Sequence, residues 1–406
     1  MGLGGAGFKR RVTWSVGALA VAGVAAVGAR GSFGLFVKPW EEAFDASRAS
    51  VAAISATSFI LYAAAQAFAG RLLEDWGGRR VLLTGLTLVS VAYALAAFAT
   101  AFWQAFVLIG VVAGIGSGFA AIFTLNYLAA GIVKRRSGIA FGILTAAGAG
   151  GQVVVLPIAT VALGVSLRVS LLAVAISLVV ALVVVFLLVH DAGDEQGASA
   201  SRGGLREIAR TPGFWLLLVP FFICGYTSTG LTDTHLIPYA TDHHIGEATA
   251  SAALATLAAF NVVGVLIDAI GQDARDRGKL LAATYTARAA SLFVLPALTS
   301  AGPIFVFAAF FGLADYATVP PTTSLTRSVC KTGGWGFALG LIGASHQVGS
   351  ALGAWLGGWL YTRTGTYDYS FSSAAVALLG AAALSYLLRD RGNAPVPEPL
   401  PARIAP

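Results

Sequence analysis

The sequence is short of charge. Only 11% of its 406 residues are Asp, Glu, Lys or Arg, against 57% hydrophobic residues, where a water-soluble domain carries about 25% charged residues. A soluble fold cannot hide that much apolar surface, which leaves lipid as the solvent. Cysteine is scarce too: Cys224 and Cys330 are the only two, so neither a disulfide framework nor a cysteine metal cluster is expected. A glycine-rich phosphate loop, a paired-histidine metal motif and a nucleophile constellation are all missing. These absences argue against an enzyme and call for no cofactor and no metal. They also favour any transport being driven by gradients rather than by ATP. The first apolar run is too long for a cleavable signal peptide and lacks a convincing cleavage site.

What the chain does have is long apolar runs. Crossing lipid as a helix takes about 20 apolar residues, and the backbone must satisfy its own hydrogen bonds there, in helices or closed barrels. Unbroken runs, rather than ten-residue alternation, point to helices. Twelve spans are expected near residues 13–38, 49–70, 81–99, 102–129, 138–162, 167–189, 214–240, 248–270, 280–298, 302–326, 335–361 and 371–388. The pattern predicts an all-α integral membrane protein. An N-terminal six-helix bundle covers 1–190, a cytoplasmic central loop 191–211, and a C-terminal six-helix bundle 212–390. A Pro-rich tail over 391–406 is expected to be disordered.

The cations give the chain a direction. Twenty of the 26 Lys and Arg lie at the termini, in the central loop or at the exits of even-numbered helices. Only Lys38, Arg48, Arg168 and Arg363 lie on the opposite side, which leaves Arg30 and Arg288 inside the spans. The positive-inside rule then predicts both termini in the cytoplasm and a multi-pass protein of the plasma (inner) membrane. It also accounts for the net charge of +7 with a lipid bilayer as the partner instead of nucleic acid.

The two halves repeat. Gly31 to Ser50 and Gly230 to Thr249 share a layout at an offset of 199, with Pro39 matching Pro238; Gly142 and Gly151 match Gly340 and Gly349 at an offset of 198. Several matches at nearly one offset indicate duplication, and two related six-helix halves follow from it. A second repeated feature sits after the second helix of each half. The first copy runs Gly70, Glu74, Asp75, Gly77, Arg79 and Arg80; the second runs Gly264, Asp268 and Gly271, followed by Arg275, Arg277 and Lys279. In each, a small residue permits close helix contact, an acid follows one turn later on the same face, and a glycine ends the helix before the cations.

This arrangement resembles the gating-loop signature of the major facilitator superfamily, over nearly the whole chain. The first copy has Glu74 where that family usually has Asp. Gly31-Ser-Phe-Gly-Leu-Phe36, Pro39, Phe44 and Ser47-Arg48 resemble the first-helix signature of its monocarboxylate and oxalate carrier branch, as do 70–83 and 142–151 the corresponding stretches of bacterial members. The resemblance implies movement of a small organic anion by alternating access, commonly with a proton or in exchange, around a cavity lined by helices one, four, seven and ten. That branch often carries an arginine in the eighth helix. Here 260–268 has none, and Arg288 lies in the ninth.

An ionisable side chain in the hydrocarbon region costs about 2.5–3.5 kcal/mol and therefore usually faces a cavity or a partner. The candidates are Arg30, Asp233, His235, Asp268, Arg288, Asp315 and His346. Counting about 1.5 Å per residue puts Asp315 and His346 at similar depths near the midplane. Arginine offers a permanently charged bidentate donor to a carboxylate, so Arg30 is the expected anchor, with Asn126, Tyr127, Tyr226 and His346 as further substrate-binding candidates. Asp233, His235 and Asp315 are the candidates for proton coupling. Asp233 and His235 are two apart and should point about 200° from one another. Arg288 is expected to pair structurally, with Asp268 or Glu74. Each of these residues also has a plain structural reading, as a helix-bridging or locally capped group. The expected partners are a small organic anion, protons and the bilayer, with the chain working as a monomer. An efflux antiporter for amphipathic drugs is the main rival, although the fifth helix lacks the Gly-Pro pair many of those carry. A non-transporting sensor is the rival from another class.

Overall fold

The computed structural model describes residues 3–132, 137–189, 208–271, 276–329 and 335–388. Among the described residues there is no strand, and twelve helices run in two six-helix bundles. In the first bundle, α1 comprises Leu3–Gly31 and Phe33–Phe44, α2 Arg48–Trp76 and α3 Gly78–Ala96. There α4 spans Phe102–Ala105, Phe106–Val112, Ala113–Phe119 and Ile122–Ile132; α5 spans Ser137–Ala149 and Gly151–Leu163; α6 is Leu167–Leu188. In the second, α7 comprises Pro212–Gly225, Tyr226–Thr232 and Asp233–Asp242, α8 is Glu247–Gly271, and α9 is Arg277–Val294 with a closing turn Leu295–Ala297. The last three are α10 (Ala301–Asp315, Tyr316–Thr318 and Val319–Val329), α11 (Trp335–Thr364) and α12 (Asp368–Tyr386).

Eleven of these helices are long and apolar enough to cross a membrane. The other, α11, has 30 residues and is long enough, but Ser345, His346, Gln347 and several glycines lower its hydropathy. Its position explains this. It packs along α2 of the other half and against α7, so little of it has to be dissolved by lipid. The expected central loop and tail fall almost wholly outside the described residues, as do Lys134, Arg135, Arg136 and Arg275.

Besides α5, which breaks at Gly150, four helices break at positions related by the repeat. The helix α1 is interrupted at Ser32, and its freed Gly31 carbonyl accepts the Gln152 amide of α5 at 3.0 Å. In α7 the residues Tyr226–Thr232 form a π-helical stretch containing Gly230, the repeat mate of Gly31. Its run of hydroxyls stabilises the wider turn: Thr232 Oγ1 donates to the Thr227 carbonyl at 2.7 Å and Thr234 Oγ1 to the Thr229 carbonyl at 3.3 Å, each five residues back. Helix α4 breaks at 120–121, and α10 tightens to a 3-10 turn at Tyr316–Thr318. The latter precedes Pro320 and Pro321, which lack the N–H needed to continue the α-helical ladder. Irregular backbone at membrane depth is tolerated only inside protein or beside a cavity, so these four breaks must be buried between helices rather than face lipid.

Close packing carries the repeat into three dimensions. A Cβ on Gly151 of α5 would strike the backbone of α1 at Val24 and Gly28, and one on its mate Gly349 of α11 would strike the backbone of α7 at Phe222 and Tyr226. The halves meet along α2 with α11, α5 with α8 and α1 with α7. Beyond the breaks, residues 122–132 of α4 pack against α5, α1 and α3, and residues 319–329 of α10 against α7, α9, α11 and α8. Each of these end segments is held chiefly by its own half.

Candidate functional site

The break in α1 sets Arg30 on its last regular turn, facing the other half. Its guanidinium carbon lies 5.0 Å from the ring centre of Tyr62 on α2. Asp233 and Tyr316, from the breaks of α7 and α10, are within electrostatic reach. Among the described residues Arg30 forms no ion pair. Beside it lies a cavity of about 20 Å³ lined by Ser55, Ser58, Ser117 and Tyr93 among others. Asp233 likewise makes no ion pair. It sits by the Gln152 amide, with Asp315, Arg30 and Arg288 as its charged neighbours.

The expected partners of Arg288, Asp268 and Glu74, have side chains outside those described; among the described residues its ion-pair partner is Asp315. Fully buried, Arg288 reaches Asp315 Oδ1 at 3.3 Å. It also donates to Thr227 Oγ1 at 2.8 Å, Ser228 Oγ at 2.5 Å and Cys224 Sγ at 3.0 Å, and the Phe311 ring lies 5.0 Å away. Depth counting puts Arg288 and Asp315 at compatible levels but cannot give the facing direction, which packing decides. A buried pair with extra hydrogen bonds on the cation is the arrangement that offsets desolvation best.

Asp233 and His235 do diverge. His235 is fully buried, with Nε2 2.8 Å from the Ala354 carbonyl and Nδ1 2.9 Å from the Tyr367 hydroxyl. The carbonyl can only accept, so Nε2 carries the proton. Tyr367 in turn accepts from Arg48 NH1 at 2.9 Å, which leaves its own proton for Nδ1. Burial pushes the Tyr367 phenol well above its ordinary range, so this hydroxyl stays protonated. The His235 ring is therefore used up in a structural tie rather than facing Asp233. Arg48 itself is 6% exposed. It binds Glu41 at 2.6 Å and Asp242 at 3.2 Å, while Lys38 holds the other Asp242 oxygen at 2.7 Å. The network joins α1 and α2 to α7, α11 and the residue before α12, closing one end of the interface between halves.

The aromatic candidates fare differently. Tyr226 turns its hydroxyl toward Ser373 of α12, away from Arg30. Tyr127 packs with Ala69, Leu73 and Val81, beneath the α2–α3 turn, far along α4 from the break. Asn126 keeps a buried Oδ1 without a hydrogen-bond partner among the described residues. His346 stacks near Phe221, ring centres 4.9 Å apart, with Asp315 and both arginines in electrostatic range. Tyr62, Gln152 and Tyr316 were not anticipated: uncharged and common in helices, they carry no signal until the breaks place them.

A two-bundle helical architecture whose four broken helices surround buried charge is shared by a large class of carriers, and comparison identifies it. The family model described as Major Facilitator Superfamily matches residues 19–275 and 236–406. The chain belongs to the major facilitator superfamily. It is 26% identical over 358 residues to the uncharacterized MFS-type transporter YcxA of Bacillus subtilis (strain 168), covering 83% of this chain and 85% of that one. It is also 26% identical over 368 residues to monocarboxylate transporter 13 of Rattus norvegicus, covering 86% and 82%. Among solved structures, the nucleoside transporter NupG superposes with a TM-score of 0.77 at 13% identity, covering 92% of this chain and 100% of that one. The xylose transporter XylE from E. coli, in a partially occluded inward open conformation, gives 0.73 at 14%, covering 93% and 97%. The protein is thus a multi-pass membrane transporter with the superfamily fold.

The superfamily loop signature takes a definite shape in its first copy. Gly77, at φ 82°, joins α2 to α3 in a conformation other residues rarely adopt. Arg79 donates to the Phe186 carbonyl at 2.7 Å and lies over that ring at 5.1 Å, tying α3 to the end of α6. Asp75 and Arg80 are exposed. In the second copy Gly264 lies against the backbone of Leu313 on α10. The side-chain positions of Gly70, Glu74, Asp268 and Gly271 lie outside those described.

Proposed function

We propose that this protein is a secondary carrier for a small organic anion of the monocarboxylate class, coupled to a proton or to a counter-anion, and working by alternating access between the two halves. The observation that carries the reading is Arg30: a guanidinium at a helix break, facing the interface between halves, with no ion pair among the described residues. Such a charge inside lipid calls for a partner, and a planar carboxylate matches the guanidinium fork. The likeness to rat monocarboxylate transporter 13 supports the same class.

Charge balance supplies the coupling. Arg30, Arg288, Asp233 and Asp315 together sum to zero. Adding one carboxylate leaves an excess negative charge in a low-dielectric site, and protonating one Asp restores neutrality. Asp315 is held by Arg288, so Asp233 is the group that takes the proton. The neutral, loaded carrier then reorients at lower electrostatic cost than a charged one. The Arg48 network is the gate at the extracellular end, with both termini in the cytoplasm and the bilayer as the plasma (inner) membrane. Each monomer holds a complete site.

Uptake of radiolabelled monocarboxylates into proteoliposomes under an imposed pH gradient tests the reading. Arg30→Gln is expected to abolish uptake. Asp233→Asn is expected to keep anion exchange while losing accumulation driven by the gradient. Normal uptake by Arg30→Gln, or accumulation by wild-type protein that ignores the gradient while exchange is absent, overturns it.

A further inference from the structure

The cavity beside Arg30 differs chemically from the rest of the transmembrane region. Ser55, Ser58 and Ser117 border it, from α2 and α4, with Arg30 on one wall and apolar residues on the others. Ser55 is 3% exposed and Ser117 8%, yet none of the three hydroxyls makes a hydrogen bond to a described residue. Many buried hydroxyls in these helices take the carbonyl one turn back, as Ser32, Ser90, Thr160, Thr322, Thr326 and Ser350 do within 3.0 Å. That bond is the default for Ser and Thr in a helix. Thr124, Ser251, Ser370 and Ser385 are buried singly without a partner among the described residues, and they do not line the cavity beside Arg30. Three neighbouring serines that all forgo it, around one cavity and beside a cation without an ion pair, form a set of donors awaiting an acceptor.

Size and charge narrow the acceptor. A cavity of about 20 Å³ holds roughly one water-sized atom. It is too small for a whole carboxylate with its chain, and it offers hydroxyls and a guanidinium but no acidic group. We propose that this recess receives one oxygen of the transported carboxylate, with Ser55, Ser58 and Ser117 as further anion-binding residues beside Arg30. The proposal rests on the assignment of Arg30 as the anchor. One carboxylate oxygen enters the recess and accepts from the serines, and the second stays on the Arg30 guanidinium. A planar two-oxygen head fits this division. A tetrahedral sulfonate head, with three oxygens, does not.

Thermal-shift titration of the purified full-length carrier tests this with formate, acetate, propionate and benzoate, against methanesulfonate at matched concentration. Wild type is expected to be stabilised by at least one carboxylate and not by methanesulfonate. Each lost hydroxyl removes a charge-assisted bond, so the Ser55→Ala/Ser117→Ala variant is expected to bind the same acid about tenfold more weakly or worse. Its ligand-free melting temperature should equal or exceed that of wild type, because the hydroxyls removed have no protein partner. Equal carboxylate affinity in the double variant, with affinity lost in Arg30→Gln, overturns the recess and leaves the anchor standing. Unchanged affinity in Arg30→Gln overturns the anchor and the recess with it. Stabilisation by none of the four acids overturns both, and equal stabilisation by methanesulfonate overturns the recess.

Discussion

Two arginines lie inside this membrane protein, and they live differently. Arg288 has an acid, two hydroxyls, a thiol and an aromatic face around it, with only its Nε left without a hydrogen bond among the described residues. Arg30 has a tyrosine beside it, a small cavity lined by hydroxyls and a carboxylate only at a distance. One guanidinium has its partner built in; the other has a place for one. On the proposed function, the contrast separates a charge paired within the C-terminal bundle from a charge that receives the substrate, although both meet the same rule against ions in lipid.

The largest effect should come from breaking the ion-paired member. Arg288→Ala leaves Asp315 buried and uncompensated, at a cost of about 3–5 kcal/mol. It is expected to give a steep fall in melting temperature or loss of folded protein in detergent. Removing both charges, as Arg288→Met with Asp315→Leu, should recover much of that stability. A single variant as stable as wild type would show that the pair contributes nothing. Arg30→Gln is the reverse case. Its melting temperature should stay near wild type while carboxylate affinity drops by about 2–5 kcal/mol, the usual loss when one member of a buried charge pair is truncated. Arg30→Lys should fall between, since it keeps the charge and loses the fork. A large stability loss in Arg30→Gln would erase the distinction between the two arginines.

How far the sequence goes is visible in the same residues. Hydropathy and the cation census mark both arginines as intramembrane, and the 199-residue offset pairs Gly31 with Gly230 without announcing that the helices break there. Depth could be counted; direction around the helix axis could not. The π-helical stretch Tyr226–Thr232 adds a residue to the turn, so a face counted from the start of α7 is rotated by the time the chain reaches Asp233. Tyr226 precedes that added residue; the sequence places it in the cavity only because α7 is expected to line it, and it turns toward Ser373 of α12. Arg48 shows a different limit. Read as one of four sparse cations at its end of the helices, it is the centre of a network with Glu41, Asp242 and Tyr367, and no local pattern announces partners up to 319 residues away. The serines of the recess are silent for a third reason: a small hydroxyl in an alanine-rich helix is unremarkable until its missing bond is seen.

The Arg48 network sharpens the comparison at the level of motion. It ties five elements at one end of the interface, while beyond the breaks the end segments of α4 and α10 stay mainly with their own halves. Arg48→Gln should weaken the closed end without touching the anion site. A single cysteine placed at the half-buried Ala46 is expected to label several-fold faster with a membrane-impermeant thiol reagent in the Arg48→Gln background, a population shift of about 1–2 kcal/mol. Unchanged labelling would remove the network from the gate.

The smallest effect concerns two residues one apart from being neighbours. Asp233 faces the charges of the site; His235, held by Ala354 and Tyr367, faces the network. If the saturated group is structural, as Arg288 is, His235→Gln should behave as a packing and hydrogen-bond change. Gln can still donate one bond, so the expected loss is about 1 kcal/mol of stability, seen as a modest fall in melting temperature, with gradient-driven accumulation retained. Asp233→Asn should do the opposite, melting as wild type does while uncoupling transport from the proton. Loss of gradient-driven accumulation in His235→Gln with anion exchange intact would move the proton from the open carboxyl to the tied imidazole. It would also show that a saturated partner set does not by itself mark a group as structural in this fold.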